Sequence, residues 1–142
     1  PFPGNAYGFD VGCPALLVWD PDGGKHTSNY IDDPEWKSKI TLAGESAVNR
    51  LKMYEWNQGI WNRLLEEADN FALESGLLDE PERAKLLNLV LEQSDDSMSS
   101  HLCMLGTSLI ILPKRLGQNV DFGTITSKLR SLGLGVRETI LQ

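Results

Sequence analysis

Residues 46–75, SAVNRLKMYEWNQGIWNRLLEEADNFALES, constrain the chain more than any other stretch. Ala47, Leu51, Tyr54, Gln58, Trp61, Leu65, Ala68 and Ala72 recur at alternating spacings of four and three, which puts them on one face of a helix. Val48, Leu64 and Phe71 widen that face to the breadth a core-facing helix needs, and Gly76 is a natural stop. Gly59 interrupts the stripe, so the helix is expected to bend or split at Gln58-Gly59.

Before this helix the chain changes character twice. Residues 1–14, PFPGNAYGFDVGCP, mix prolines, glycines and aromatics and predict an irregular arm. Phe2, Tyr7 and Phe9 are its candidates for packing onto the body or onto a neighbouring molecule. ALLVWD at 15–20 reads as a strand. Asp20-Pro21-Asp22-Gly23 follows as a turn: Pro presets φ, Asp caps locally, and Gly accepts the left-handed position. A β-hairpin over 15–31 is therefore expected, then a connector with a short strand at Ile40–Leu42.

After Gly76, Asp79-Glu80-Pro81-Glu82 has the form of a helix start, with Asp79 as N-cap and the helix running to Gln93. Met98, Leu102 and Leu105 continue at helical spacing. TSLIILP at 107–113 is β-branched, apolar and closed by Pro113, and fits a buried strand as well as it fits more helix. Ile125, Leu129 and Leu132 then predict a helix stopped at Gly133 or Gly135, followed by a strand at VRETIL. The whole is α+β: one helix-rich domain over 15–142 behind the 1–14 arm, with an N-terminal β-hairpin, a long central helix and a C-terminal strand–helix–strand unit.

Charge narrows the function classes. The chain carries a net −7, and 66–96 alone holds 10 acids against 2 bases, while 113–142 holds 5 bases against 2 acids. That balance disfavours nonspecific nucleic-acid binding and favours a protein partner with a basic face, or contact between copies, with Glu66, Asp69 and Glu74 as candidate contacts. A second possibility for the basic tail is a DNA-binding regulator, with a recognition helix at 136–142 using Arg130 and Arg137. A seven-residue helix with a single base makes that the poorer fit, because phosphate contacts carry affinity. The longest apolar run, 102–112, has 11 residues, too short for a membrane span. With no targeting segment and two cysteines, Cys13 and Cys103, in neither a disulfide nor a metal pattern, the expected compartment is the cytoplasm.

Candidate chemistry is sparse. LLVWDPDGG at 16–24 resembles the first motif of the haloacid-dehalogenase-type phosphotransferases. The resemblance implies Asp20 as nucleophile and Asp22 as acid/base beside a magnesium ion, so a magnesium-dependent phosphotransferase or phosphatase is one alternative. A local turn accounts for Pro21, Asp22 and Gly23 by itself. Cys103 with His26 is a further conceivable nucleophile pair, against which a buried structural cysteine is commoner. Trp56 lies off the helical stripe, as do Met53 and Ile60, which suits either an interface anchor or a helix buried on two sides. The leading expectation is a protein-interaction protein without a cofactor: a subunit, an assembly adaptor such as a viral structural component, or a stoichiometric inhibitor, acting on a protein partner or as a homo-oligomer.

Overall fold

The computed structural model describes residues 4, 6–23, 28–104 and 106–142. Along the chain run β1 (Cys13–Trp19), α1 (Ser28–Ile31), α2 (Pro34–Leu51), α3 (Trp61–Glu74), α4 (Pro81–Gln93), β2 (Met98–Leu102), β3 (Ser108–Pro113), α5 (Gly123–Ser131) and β4 (Gly135–Leu141). The strands form one antiparallel sheet in the order β2-β3-β1-β4, so the α+β class holds.

The sheet is covered on both faces, which follows from the apolar run CPALLVW in β1. Its even positions, Leu16 and Val18, join Met98, Leu109, Ile111 and Val136 against Leu86 and Val90 of α4, Ile125 and Leu129 of α5, and Phe122 at the start of α5. Its odd positions, Cys13 and Ala15, join Leu112 of β3 against Trp61 and Leu65 of α3. The Trp61 indole N–H donates to the Pro113 carbonyl at 3.0 Å and so satisfies the one polar atom of that buried side chain.

β1 finds no partner in the residues that follow it. It pairs with β3 (Leu16 opposite Ile111) and with β4 (Leu16 opposite Glu138), so the expected 15–31 hairpin is not formed. Ser28–Ile31 is a helical turn, and residues 24–27 lie outside the described residues. β1 is an apolar strand whose two edges are both taken, by β3 and β4, so no edge is left for a strand from the residues that follow it. The hairpin of this fold is β2–β3 instead, with Met98 opposite Pro113. Lys114 N–H donates to Ser97 O and Cys103 N–H to Ser108 O. The ladder alternates between those ends, so Pro113 faces β2 at a position that asks for no N–H. Expected helical spacing at Met98 and Leu102 is thus replaced by strand, after a turn in which Asp95 accepts from the Ser97 amide at 2.8 Å; Leu105 lies outside the described residues.

The C-terminal strand–helix–strand unit is present. β3 and β4 lie on either side of antiparallel β1 and are therefore parallel to each other, linked by α5. Gly133, at φ +82°, makes the left-handed turn out of α5. The tail is strand rather than a second helix, so the recognition-helix geometry over 136–142 does not exist.

A long helix is also present, but it is α2, at 34–51. Asp33 caps it, accepting from the Glu35 and Trp36 amides at 2.9 and 3.4 Å, and Pro34 takes the first turn. The expected strand at Ile40–Leu42 falls inside this helix. The 46–75 stripe is split, with α2 ending at Leu51 and residues 52–57 turning. Asn57 accepts from the Gly59 amide at 2.8 Å and starts the 3-10 turn that leads into α3. α2 lays Ala43 and Ala47 inward, and Arg50 reaches across to Glu67 at 2.7 Å and Glu74 at 3.3 Å on α3. The cap of α4 is Glu80 rather than Asp79, because residues 77–79 form a 3-10 turn of their own.

Glu80 and Arg83 tie these parts together. Arg83 is 1% exposed; its Nε donates to Glu80 at 2.7 Å, and its Nη atoms donate to the Cys103 and Met104 carbonyls and to Tyr30 Oη. Tyr30 donates in turn to Glu80 at 2.9 Å, so α1, α4 and the β2–β3 connection share one buried charge pair. Replacing Arg83 by Met takes a buried guanidinium from Glu80 and its donors from two carbonyls; chemical denaturation is expected to show a loss of about 3–5 kcal/mol. The Arg50 clamp makes a pH-dependent contribution. Its hydrogen bond to Glu67 holds that carboxyl below its ordinary value of 4.5. A depressed folded-state value means stability that is present above the ordinary value and lost as pH falls through the lowered one. Arg50→Gln is expected to be less stable than the parent near neutral pH, with the gap closing below about 4.5. A gap that persists unchanged into acid would locate the loss elsewhere.

Candidate interaction surface

The arm enters β1 along the outside of the α2–α3 turn. Gln58 Nε2 donates to the Asp10 carbonyl at 3.0 Å, and Val11 packs against the cluster that contains Trp61 and Leu65. One step earlier, Phe9 meets Trp56 edge to face with ring centroids 5.8 Å apart. These contacts bring the arm alongside the end of α2 and leave a groove of about 790 Å³ lined by Ala6, Tyr7, Val48, Leu51, Lys52, Tyr54 and Trp56.

The groove is apolar where a surface is usually polar. Tyr7 is 74% exposed, Val48 49%, Tyr54 44%, and neighbouring Met53 82%. A cluster of this kind departs from the singly scattered apolar residues of an ordinary surface. The break at 52–57 is the cause. Had the helix continued, the 3.6-residue period would have turned Tyr54 toward the core with Trp61. Once it stops after Leu51, Tyr54 is left exposed and Leu51 half-buried. Trp56 Nε1 is buried without a hydrogen-bond partner among the described residues. Arg63 lies 5.1 Å over the Tyr54 ring and pairs with Glu66 at 3.0 Å, so one wall carries a fixed cation–π contact. Lys52 is exposed and makes no ion pair among the described residues.

Of the residues singled out from sequence, Tyr7, Phe9 and Trp56 are brought together here. Phe2 lies outside the described residues. The acids of α3 do not line the groove, and each has a partner within the chain: Glu66 with Arg63, Glu74 with Arg50, and Asp69 with His101. Val48, Leu51, Lys52 and Tyr54 were not singled out as surface; MYEW between two capped helices was the available signal.

The other candidates lie apart. Asp20 and Asp22 end β1, where the Asp20 carboxylate accepts the Asp22 amide at 3.0 Å and Gly23 N–H donates to the Asp20 carbonyl, as a local turn requires. Both neighbours of β1 are antiparallel, and among the described residues no three His, Cys, Asp or Glu side chains gather in a metal-holding group. Arg130 is exposed on α5 and reaches the Val136 carbonyl at 3.5 Å, and Arg137 is exposed on β4. Cys13 and Cys103 are free, and burial pushes both thiols up, away from the reactive thiolate. His26 lies outside the described residues. No family model matches the chain, and neither a curated protein nor a solved structure is similar to it.

Proposed function

We propose that this chain is a protein-interaction module whose groove receives a segment of another protein. The observation that carries the reading is the open apolar trough between the arm, the end of α2 and the 52–57 turn, with Tyr7, Val48 and Tyr54 exposed along it. Aromatic side chains of this sort supply contact area at small entropic cost and are the usual anchors of interfaces. The fitting occupant has an aliphatic or aromatic anchor for the trough and a carboxylate beside it for Lys52.

A second copy fits less well. The net charge of −7 and the 10 acids in 66–96 set copies against each other at low salt. The module would thus serve as a subunit, adaptor or inhibitor on a heterologous partner, in the cytoplasm, rather than as a homo-oligomer.

Selection from a displayed random-peptide library tests this. Enriched peptides are expected to pair an apolar anchor with Asp or Glu. Val48→Asp and Tyr54→Ser change largely exposed side chains outside the core clusters, so they are expected to weaken binding at least about tenfold, or about 1.4 kcal/mol, with a melting temperature close to the parent's. Peptides that bind both variants as tightly as the parent would place the binding elsewhere. Light scattering behind a sizing column adds a further check: a monomer at low and high salt agrees with the heterologous occupant, and a dimer dissolved by the same substitutions would make the occupant a second copy.

A further inference from the structure

β2 carries Ser99 and His101 two residues apart, on the sheet face that meets α3. His101 is 4% exposed. Its Nδ1 lies 2.7 Å from Asp69 Oδ1 on α3, and its Nε2 lies 2.7 Å from Ser99 Oγ. The carboxylate accepts only, so in the neutral ring Nδ1 carries the proton, Nε2 is the acceptor, and the Ser99 hydroxyl donates to it. Hydroxyl, imidazole and carboxylate are thereby wired in the order that activates a serine nucleophile, an order recognised by geometry and not by position in the sequence.

A second feature sits beside the hydroxyl. β2 is an edge strand. The end bonds of the β2–β3 ladder put Ser97, Ser99, His101 and Cys103 in its hydrogen-bonded pairs. Ser100 falls between them, so its N–H points to the open edge. A backbone donor on the residue after the nucleophile is what an oxyanion needs. Ser99 itself keeps part of its surface in solvent.

We propose that Ser99 is a nucleophile and that the chain hydrolyses a carboxylic ester presented at the open edge of β2. Ser99 Oγ bonds to the carbonyl carbon while its proton passes to His101 Nε2, and the carbonyl oxygen, now negative, faces Ser100 N–H. The C–O bond to the alcohol then breaks and the leaving oxygen takes the proton from Nε2, leaving the acyl group on Ser99. Water attacks that ester, gives its proton to Nε2, and the acid departs as Ser99 recovers its proton. Asp69 is a positioning residue, holding the imidazole by Nδ1. This activity is independent of the groove.

The test is a fluorophosphonate probe followed by intact-mass and peptide analysis, together with p-nitrophenyl butyrate turnover. The probe is expected to form one adduct, at Ser99, with loss of fluoride, and turnover is expected to exceed the buffer rate. Ser99→Ala is expected to abolish both while keeping the circular-dichroism spectrum of the parent. Asp69→Asn, a change at an exposed position, is expected to lower kcat about tenfold or more with KM unchanged. No adduct at Ser99, or turnover undiminished in Ser99→Ala, would overturn the proposal and leave the hydrogen-bonded chain as a tie between α3 and β2.

Discussion

β1 is the constraint from which the rest follows. Its Leu16 and Val18 are wholly buried, and both of its edges are filled by strands from the last third of the chain. No local partner closes it. Loop-closure entropy must be met before those pairings form, which makes long-range pairing the slow and cooperative part of such a fold. The arm runs directly into this strand, so the register of β1 sets where Val11, Asp10 and Phe9 come to rest against the α2–α3 turn. The groove is a by-product of a strand that had to be central.

Electrostatics follow from the same packing. Part of the acidic stretch that dominates the net charge is answered from within: Arg50 takes Glu67 and Glu74, Arg63 takes Glu66, and Arg83 takes Glu80, while His101 gives Asp69 a hydrogen bond. The exposed pairs contribute little to stability. Their effect is to leave α3 with fewer unanswered carboxylates than its sequence suggests, which favours proposing the apolar trough, rather than an acidic face, as the docking surface. The Arg83 pair is different in kind, because it is buried and shared by three segments; its value lies in fixing which segments meet.

Sequence legibility tracked how local the deciding interaction was. The C-terminal unit was readable because Pro113, Gly133 and an apolar run each act on their own neighbours. The α4 helix was readable for the same reason, to within one residue of its cap. The hairpin after β1 was misread because a good turn, Asp20-Pro21-Asp22-Gly23, says only that the chain reverses, and not that a strand follows. The interruption of the 46–75 stripe was legible in Gln58-Gly59, but not its extent over 52–57, because periodicity cannot see Asn57 capping a new start. Of the surface, the conspicuous aromatics Tyr7, Phe9 and Trp56 were legible, while Val48, Leu51 and Tyr54 were hidden by their fit to a core stripe. Ser99 and His101 are invisible as a pair under the helical spacing of Met98 and Leu102, since only a two-residue period puts both on one face.

The claim that the trough formed by the arm, Leu51 and Trp56 is the working surface can be tested by ¹⁹F NMR of the chain labelled with 5-fluorotryptophan. Its four tryptophans report on separate places: Trp56 on the groove, Trp61 in the core below it, and Trp19 and Trp36 away from it. On titration with a library-selected peptide, the Trp56 resonance is predicted to shift and saturate while those of Trp19 and Trp36 stay in place. A saturating shift confined to Trp19 or Trp36 would contradict the account.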